Sequence, residues 1–327
     1  MLAGDGRRQP GSRPQKGGVM NKQDEAAQTF EPHRRRLTGL AYRMLGSLSE
    51  AEDIVQEAYL RWHAVERDRV DNPRAYLSRA VARLCLDHLK SARVRRETYV
   101  GPWLPEPIID ETALAPDTAS ELADDLSVAL LMTLERLSPL ERAAFLLHDV
   151  FEMEFDDIAK VLDRSESACR QLAARGRGHV RKTRPRYRVP QDEATRLSDA
   201  FHRALVTGDA AQFAELLAAD AILYSDGGGK RAAALNPIHG RDRIVRFFEG
   251  LARAGNLPSP DAVHRVRLHG LPGLVVIDRF GAIDTIATLD IRDGRVVAIY
   301  VVRNPDKLTH ISFRSFRNGG EDPQIRH

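Results

Sequence analysis

Up to about residue 190 the apolar residues recur three or four positions apart, whereas from residue 263 onward they fall into short β-branched runs. No single regular element satisfies both periods, so the chain is expected to fold as separate units: helical ones first, and a mixed one last. A length of 327 residues leaves room for two or three domains, and 43% hydrophobic residues supply a core for each.

Two breaks mark the borders. Residues 98–120 lose the helical period and carry Pro102, Pro105, Pro107 and Pro116, as a linker does. The stretch KTRPRYRVPQ, residues 182–191, is the second break. Residues 1–22 are Gly, Pro, Arg and Gln with almost nothing apolar, a composition that cannot offset its ordering entropy and reads as a disordered tail. The expected units are a helical domain over 23–97, a second helical domain over 121–186, and an α+β domain over 193–327. In the last unit LSDAFHRALVTGDAAQFAELLA and GRDRIVRFFEGLARA read as helices, followed by a strand meander with Asp293-Gly294 as its hairpin turn.

Several classes drop out early. No apolar run approaches the roughly 20 residues of a membrane helix, and the N-terminus lacks a secretory core, so a cytoplasmic protein with no membrane contact is expected. Cys85 and Cys169 each fall inside a helical pattern and read as buried, reduced thiols; no metal and no cofactor are expected.

The formal net charge is only +3, but the basic residues are bunched. At 100° per residue, Arg79, Arg83, Lys90 and Arg93 share one arc opposite Leu77, Val81, Leu84 and Cys85, and Arg95 and Arg96 extend it with no acid between. A solvated face is the plain alternative; four cations in one arc, with two more following along the chain, favour a polyanion. Residues 164–188 hold nine Lys and Arg against one Glu.

That second basic stretch closes FDDIAKVLDRSESACRQLAARGRGHVRK, which has helix-turn-helix spacing: Ile158, Leu162, Cys169 and Leu172 inside, small Ala159 at the crossing, and Ser165 as N-cap of the second helix. Asp163 stands at the turn position that calls for a left-handed residue, which Asp tolerates. Ser167, Arg170, Ala174, Arg177 and Arg181 share the outer face, with Gln171 beside them, as a helix in a major groove requires. Acids bunch too: Glu50, Asp53 and Glu57 lie on one side of a helix, and EMEFDD precedes the helix-turn-helix; solvated faces are the plain reading and a protein partner the sharper one.

In order along residues 30–182, AYRMLGSLSEAEDIVQEAYLRW, NPRAYLSRAVARLCLDHLKSARVRR and LSPLERAAFLLHDVFEMEFDDIAKVLDRSESACRQLAARGRGHVRK resemble conserved regions 2.2, 2.3 to 2.4 and 4 of extracytoplasmic-function sigma factors. The resemblance implies two all-α domains, a region 2 bundle and a region 4 helix-turn-helix, that bind core RNA polymerase through its β′ clamp and β flap and direct it to promoter DNA. It places Asp53, Gln56 and Glu57 on the clamp, and the helix carrying Arg79, Arg83, Lys90, Arg93, Arg95 and Arg96 on the minus ten element. The loop VERDRVDNP before that helix would capture an extruded base. Ser165, Ser167, Arg170, Gln171, Arg177 and Arg181 would meet the minus thirty-five element.

Beyond residue 190 the chain resembles the SnoaL-like, nuclear-transport-factor-2-like group, a conical α+β fold around a pocket that could hold a small ligand. WLPEP in the linker, DGGGK and NPDKL together mark a sigma group carrying this extension. They imply an interdomain contact between Trp103, Leu104, Pro105, Glu106 and Pro107 and the loop of Asp226, Gly227, Gly228, Gly229 and Lys230, with Asp226 and Lys230 as polar fasteners. Asn304, Pro305, Asp306, Lys307 and Leu308 would buttress it.

The glycine run is no P-loop, because Lys230 is followed by Arg231 where Ser or Thr is needed. A pocket enzyme would draw on Asp226, His239, Asp278 and Asp284, but none has a partner at fixed spacing, so no catalytic residue is assigned. A helix-turn-helix regulator that never binds polymerase is the other alternative.

Overall fold

The computed structural model describes residues 22–66, 70–108, 126–183, 190–268 and 271–311. The first unit is three helices, α1 (Lys22–Leu45), α2 (Leu48–His63) and α3 (Pro73–Glu97). α1 starts at Lys22, so helix begins one residue inside the stretch read as tail. Gly46, at φ 71°, ends α1 in the left-handed conformation, and Ser47 then caps α2 by accepting from Glu50 N at 3.1 Å. Asn72 caps α3 from the preceding loop, its Oδ1 accepting from Ala75 N at 3.0 Å, with Pro73 at the first helical position. Phe30, Tyr42 and Trp62 are fully buried at the centre.

The second helical unit comprises α4 (Val128–Glu135), α5 (Pro139–Phe145) running into a π turn at Leu146–Val150, α6 (Phe155–Leu162) and α7 (Glu166–Thr183). Ser138 and Glu141 form a capping box at α5. Asp163 sits at φ 52°, as the turn requires, and Ser165 Oγ accepts from Ala168 N at 3.3 Å. Ile158, Leu162 and Cys169 are buried, and Leu172 packs partly buried against them.

These two units share one continuous apolar core from Ala26 to Val180. Across the seam Arg142 of α5 donates to Met44 O, Arg36 of α1 donates to Phe151 O, and Arg79 of α3 pairs with Asp157 of α6 at 2.5 Å. The linker joins two docked domains.

The C-terminal unit contains α8 (Gln191–Thr207), α9 (Ala210–Leu216), β1 (Leu217–Asp226), β2 (Ile238–His239), α10 (Arg241–Arg253), β3 (Val263–Leu268), β4 (Leu271–Ile277), β5 (Ile283–Arg292) and β6 (Arg295–Val302). The sheet order is β2-β1-β6-β5-β4-β3. The expected meander is real for β3 to β6, and Asp293 (φ 49°) and Gly294 (φ 70°) form its last hairpin with both central residues left-handed. β1 lies ahead of α10, outside the meander, and pairs in parallel with β6, because α10 and the strands that follow return the chain to its flank.

One face of the sheet packs against α8 to α10 through Phe201, Phe213 and Phe248. Phe213 and Phe248 stack there with ring centroids 4.5 Å apart. The other face carries Leu104 of the linker, Val128 of α4, Leu308 and Ile311 on Val275, Ile286, Tyr300 and Val302. The sheet therefore touches the linker and the second helical unit at once.

Candidate interdomain latch and nucleic-acid faces

β1 ends on Asp226, which is fully buried and gathers donors from three segments. Its Oδ1 accepts from Tyr99 Oη at 2.6 Å and Gly228 N at 3.1 Å; its Oδ2 accepts from Leu104 N at 2.9 Å and Lys307 Nζ at 2.7 Å. Lys307 Nζ also donates to Leu104 O and lies 4.1 Å from the centre of the Trp103 ring, so the Leu104 peptide is held at both its polar ends. Asn304 Nδ2 donates to Tyr99 Oη at 2.8 Å. Burial, followed by the Asp226 carboxylate, pushes the Tyr99 phenol well above its ordinary value, so it remains a donor.

Lys230 is not a fastener of the linker: its Nζ lies 2.7 Å and 2.5 Å from the two carboxylate oxygens of Asp306, inside the C-terminal unit. The linker cation is Lys307. Pro305 opens a single 3-10 turn, Pro305–Lys307, capped by Asn304, whose Oδ1 accepts from Asp306 N at 3.1 Å; this turn aims Lys307 inward.

The other side of WLPEP faces the first helical unit. Glu106 is buried, and its carboxylate accepts from Ser47 Oγ at 2.8 Å and Leu48 N at 2.7 Å. The Trp103 ring lies against Gly46, where an added Cβ would stand 2.4 Å from it. Pro105 and Pro107 are buried, and Pro107 O lies 2.9 Å from His310 Nε2. Tyr99, Gly46 and the Ser47–Ser49 turn were not picked out in sequence as parts of this site.

Asp53, Gln56 and Glu57 are exposed side by side on α2 with Leu60, and Glu57 pairs with Arg61 at 2.5 Å. Along α3 the basic face is partly engaged. Arg79 pairs with Asp157, Arg83 donates to Lys160 O, and Lys90 pairs with Asp87 at 2.7 Å. The side chains of Arg93, Arg95 and Arg96 lie outside the described residues, as do residues 67–69 of the loop before α3.

On α7, Ser167, Arg170, Gln171 and Arg181 are exposed. Arg170 pairs with Glu166 at 2.8 Å, whereas Arg177 is half-buried and clamped in two hydrogen bonds to Asp149, at 2.6 Å and 2.9 Å. Asp149 raises the Arg177 guanidinium further above its ordinary value. Burial raises the thiols of Cys85 and Cys169, as inert core cysteines require.

The four acids and bases considered for catalysis do not converge. Asp226 is taken by the latch, Asp278 closes the β4–β5 turn by accepting from Phe280 N and Ala282 N, and His239 lies exposed at the sheet edge. Burial works to raise the Asp284 carboxyl, but hydrogen bonds from Thr285 and Arg303 outweigh it and leave it lowered. An open recess lies elsewhere, on the outside of α8, lined by Asp192, Thr195, Arg196, Asp199 and Arg203. Among the described residues no cluster of His, Cys, Asp and Glu could hold a metal, and no helix is long and apolar enough to cross a membrane.

A three-helix bundle with an exposed acidic helix face, a helix-turn-helix with a basic second helix, and a linker between them define the two-domain plan of a sigma-70-type factor. Residues 29–95 match Sigma-70 region 2, and residues 127–180 match Sigma-70, region 4. The chain is 39% identical over 291 residues to the ECF RNA polymerase sigma factor SigJ of Mycobacterium tuberculosis, covering 86% of this chain and 92% of that one. It is 35% identical over 200 residues to the probable ECF RNA polymerase sigma factor SigI of the same species, covering 61% of this chain and 69% of that one. The crystal structure of M. tuberculosis SigJ superimposes with a TM-score of 0.68 at 35% identity, over 86% of this chain and 98% of that one. The chain belongs to the extracytoplasmic-function RNA polymerase sigma factors.

Proposed function

We propose that this chain directs core RNA polymerase to specific promoters and that its C-terminal domain regulates it in cis by holding the linker. Asp53, Gln56 and Glu57 dock on the polymerase clamp, the basic face of α3 opens and holds the minus ten element, and α7 reads the minus thirty-five element in duplex form. The observation that carries the regulatory part is the Leu104 peptide, bound by Asp226 at its N–H and by Lys307 at its carbonyl. A linker held this way fixes how far apart the two DNA-binding units can sit.

The docked arrangement favours a resting state. Arg79 and Arg83 are engaged by α6, so the face meant for the minus ten strand competes with an acidic helix for its own arginines. Initiation then requires the two helical units to part while the linker remains attached at one end.

Run-off transcription with purified core polymerase tests this, using the wild-type chain and Asp226→Ala. Promoter-dependent transcripts from the wild type, with altered yield and new protease cleavage at the linker in the variant, are expected. The absence of a stable complex with core enzyme, with duplex binding retained, would instead make the chain a regulator that acts without polymerase.

A further inference from the structure

We propose that Glu106 is a positioning residue for core-polymerase binding: it caps α2 from the linker and passes the C-terminal domain's hold on to the helix that docks on the enzyme. The inference rests on the reading of α2 as the docking helix.

A helix leaves its first N–H groups without intrahelical partners and carries partial positive charge there. At α2 these needs are met from outside the helix. Of the first backbone N–H groups Ser47 Oγ takes Glu50 N, while Glu106 Oε2 accepts from Leu48 N at 2.7 Å and Ser49 N at 3.2 Å. Glu106 Oε1 accepts from Ser47 Oγ at 2.8 Å and Ser49 Oγ at 3.3 Å. The main chain adds two bonds, Glu106 N to Gly46 O at 2.9 Å and Tyr42 Oη to Glu106 O at 2.7 Å. The local pattern Ser47-Leu48-Ser49-Glu50 has the form of a capping box, yet Glu50 pairs with His88 of α3 at 3.1 Å, and a carboxylate 59 residues from Ser47 accepts from the first turn.

Two residues before Glu106 stands Leu104, the peptide that Asp226 and Lys307 hold. Between them Pro105 is buried and has a fixed φ, so the span from latch to cap is short and stiff. Asp53 and Glu57 follow the capped turn on the same helix. Fraying of that turn would leave them to be ordered during docking, a cost that binding then bears.

The test is core-polymerase affinity of the full chain with Glu106→Ala, Glu106→Gln, Asp226→Asn, and the Glu106→Ala/Asp226→Asn double variant. Loss of a cap should weaken core binding about tenfold in Glu106→Ala, and about threefold in Glu106→Gln, which keeps one acceptor oxygen. Asp226→Asn should weaken it less, and the double variant no more than Glu106→Ala, because Asp226 acts through Glu106. Affinity for a minus thirty-five duplex should not change, which separates positioning from general unfolding; should Glu106→Ala misfold, Glu106→Gln carries the test. Wild-type core affinity in the Glu106 variants, with weakened binding in Asp53→Ala, overturns the inference alone. Additive losses in the double variant overturn the transmission. Unchanged affinity in both Asp53→Ala and Glu57→Ala overturns the docking reading beneath it.

Discussion

Lys307 Nζ lies 2.7 Å from Asp226 Oδ2, with side chains 8% and 0% exposed. Breaking a buried pair by removing one partner costs about 3–5 kcal/mol, because the remaining charge is left in a poor dielectric. Asp226→Ala is therefore expected to destabilise the C-terminal domain and expose the linker to protease. Adding Lys307→Met to that variant removes the stranded ammonium and should restore part of the stability. Denaturant melts and limited proteolysis at residues 99–108 check both; equal destabilisation in the single and double variants would contradict the pairing.

Arg79 and Asp157 join α3 to α6 at 2.5 Å with side chains 30% and 25% exposed, so this contact is a modest one, about 0.5–1 kcal/mol. Asp157→Ala should free Arg79 and raise the free chain's affinity for a single-stranded minus ten oligonucleotide about threefold. Arg79→Ala should lower that affinity, since the cation is lost to both partners. Unchanged binding in Asp157→Ala would show that α6 does not compete with DNA.

The helical wheel found the basic face of α3 because side-chain direction follows from a 3.6-residue period, and the turn at Asp163 was legible for a similarly local reason. What covers that face was not legible: Asp157 is 78 residues away, and no period connects them. The latch divides in the same way. Asp226 was singled out beside its glycines, but Lys230 and Lys307 are chemically alike, and only the turn at Pro305–Lys307 decides which one reaches the linker. The alternation in β1 marks a strand, whereas its parallel pairing with β6 depends on where α10 returns the chain.

Three adjacent glycines have three different reasons. A Cβ on Gly227 would stand 2.2 Å from Arg231 O, inside its own turn, and one on Gly228 (φ 57°) would stand 2.3 Å from Asn304 Nδ2, which serves Tyr99. On Gly229 (φ 73°) the nearest atom is Val100 Cβ at 3.2 Å, on an exposed side chain that can shift. Alanine at Gly229 should cost about 1 kcal/mol for the left-handed backbone, and alanine at Gly227 or Gly228 distinctly more. Separate denaturant melts of the three variants give the order; the largest loss at Gly229 would place the close approach elsewhere.

Arg181 and Arg177 share the outer face of α7 but differ in freedom: Arg181 is exposed, whereas Asp149 holds Arg177 through both hydrogen bonds of a bidentate pair. A phosphate contact contributes about −0.9 to the slope of log affinity against log salt. Arg181→Ala should therefore reduce the magnitude of that slope by about 0.9 and weaken binding to all duplexes alike. Arg177→Ala should leave the slope nearly unchanged and instead lower the stability of the helix-turn-helix, because Asp149 loses its partner. Duplex titrations between low and moderate salt measure both variants. A full unit of slope lost from Arg177→Ala would mean that this guanidinium leaves Asp149 for the phosphate backbone when DNA arrives.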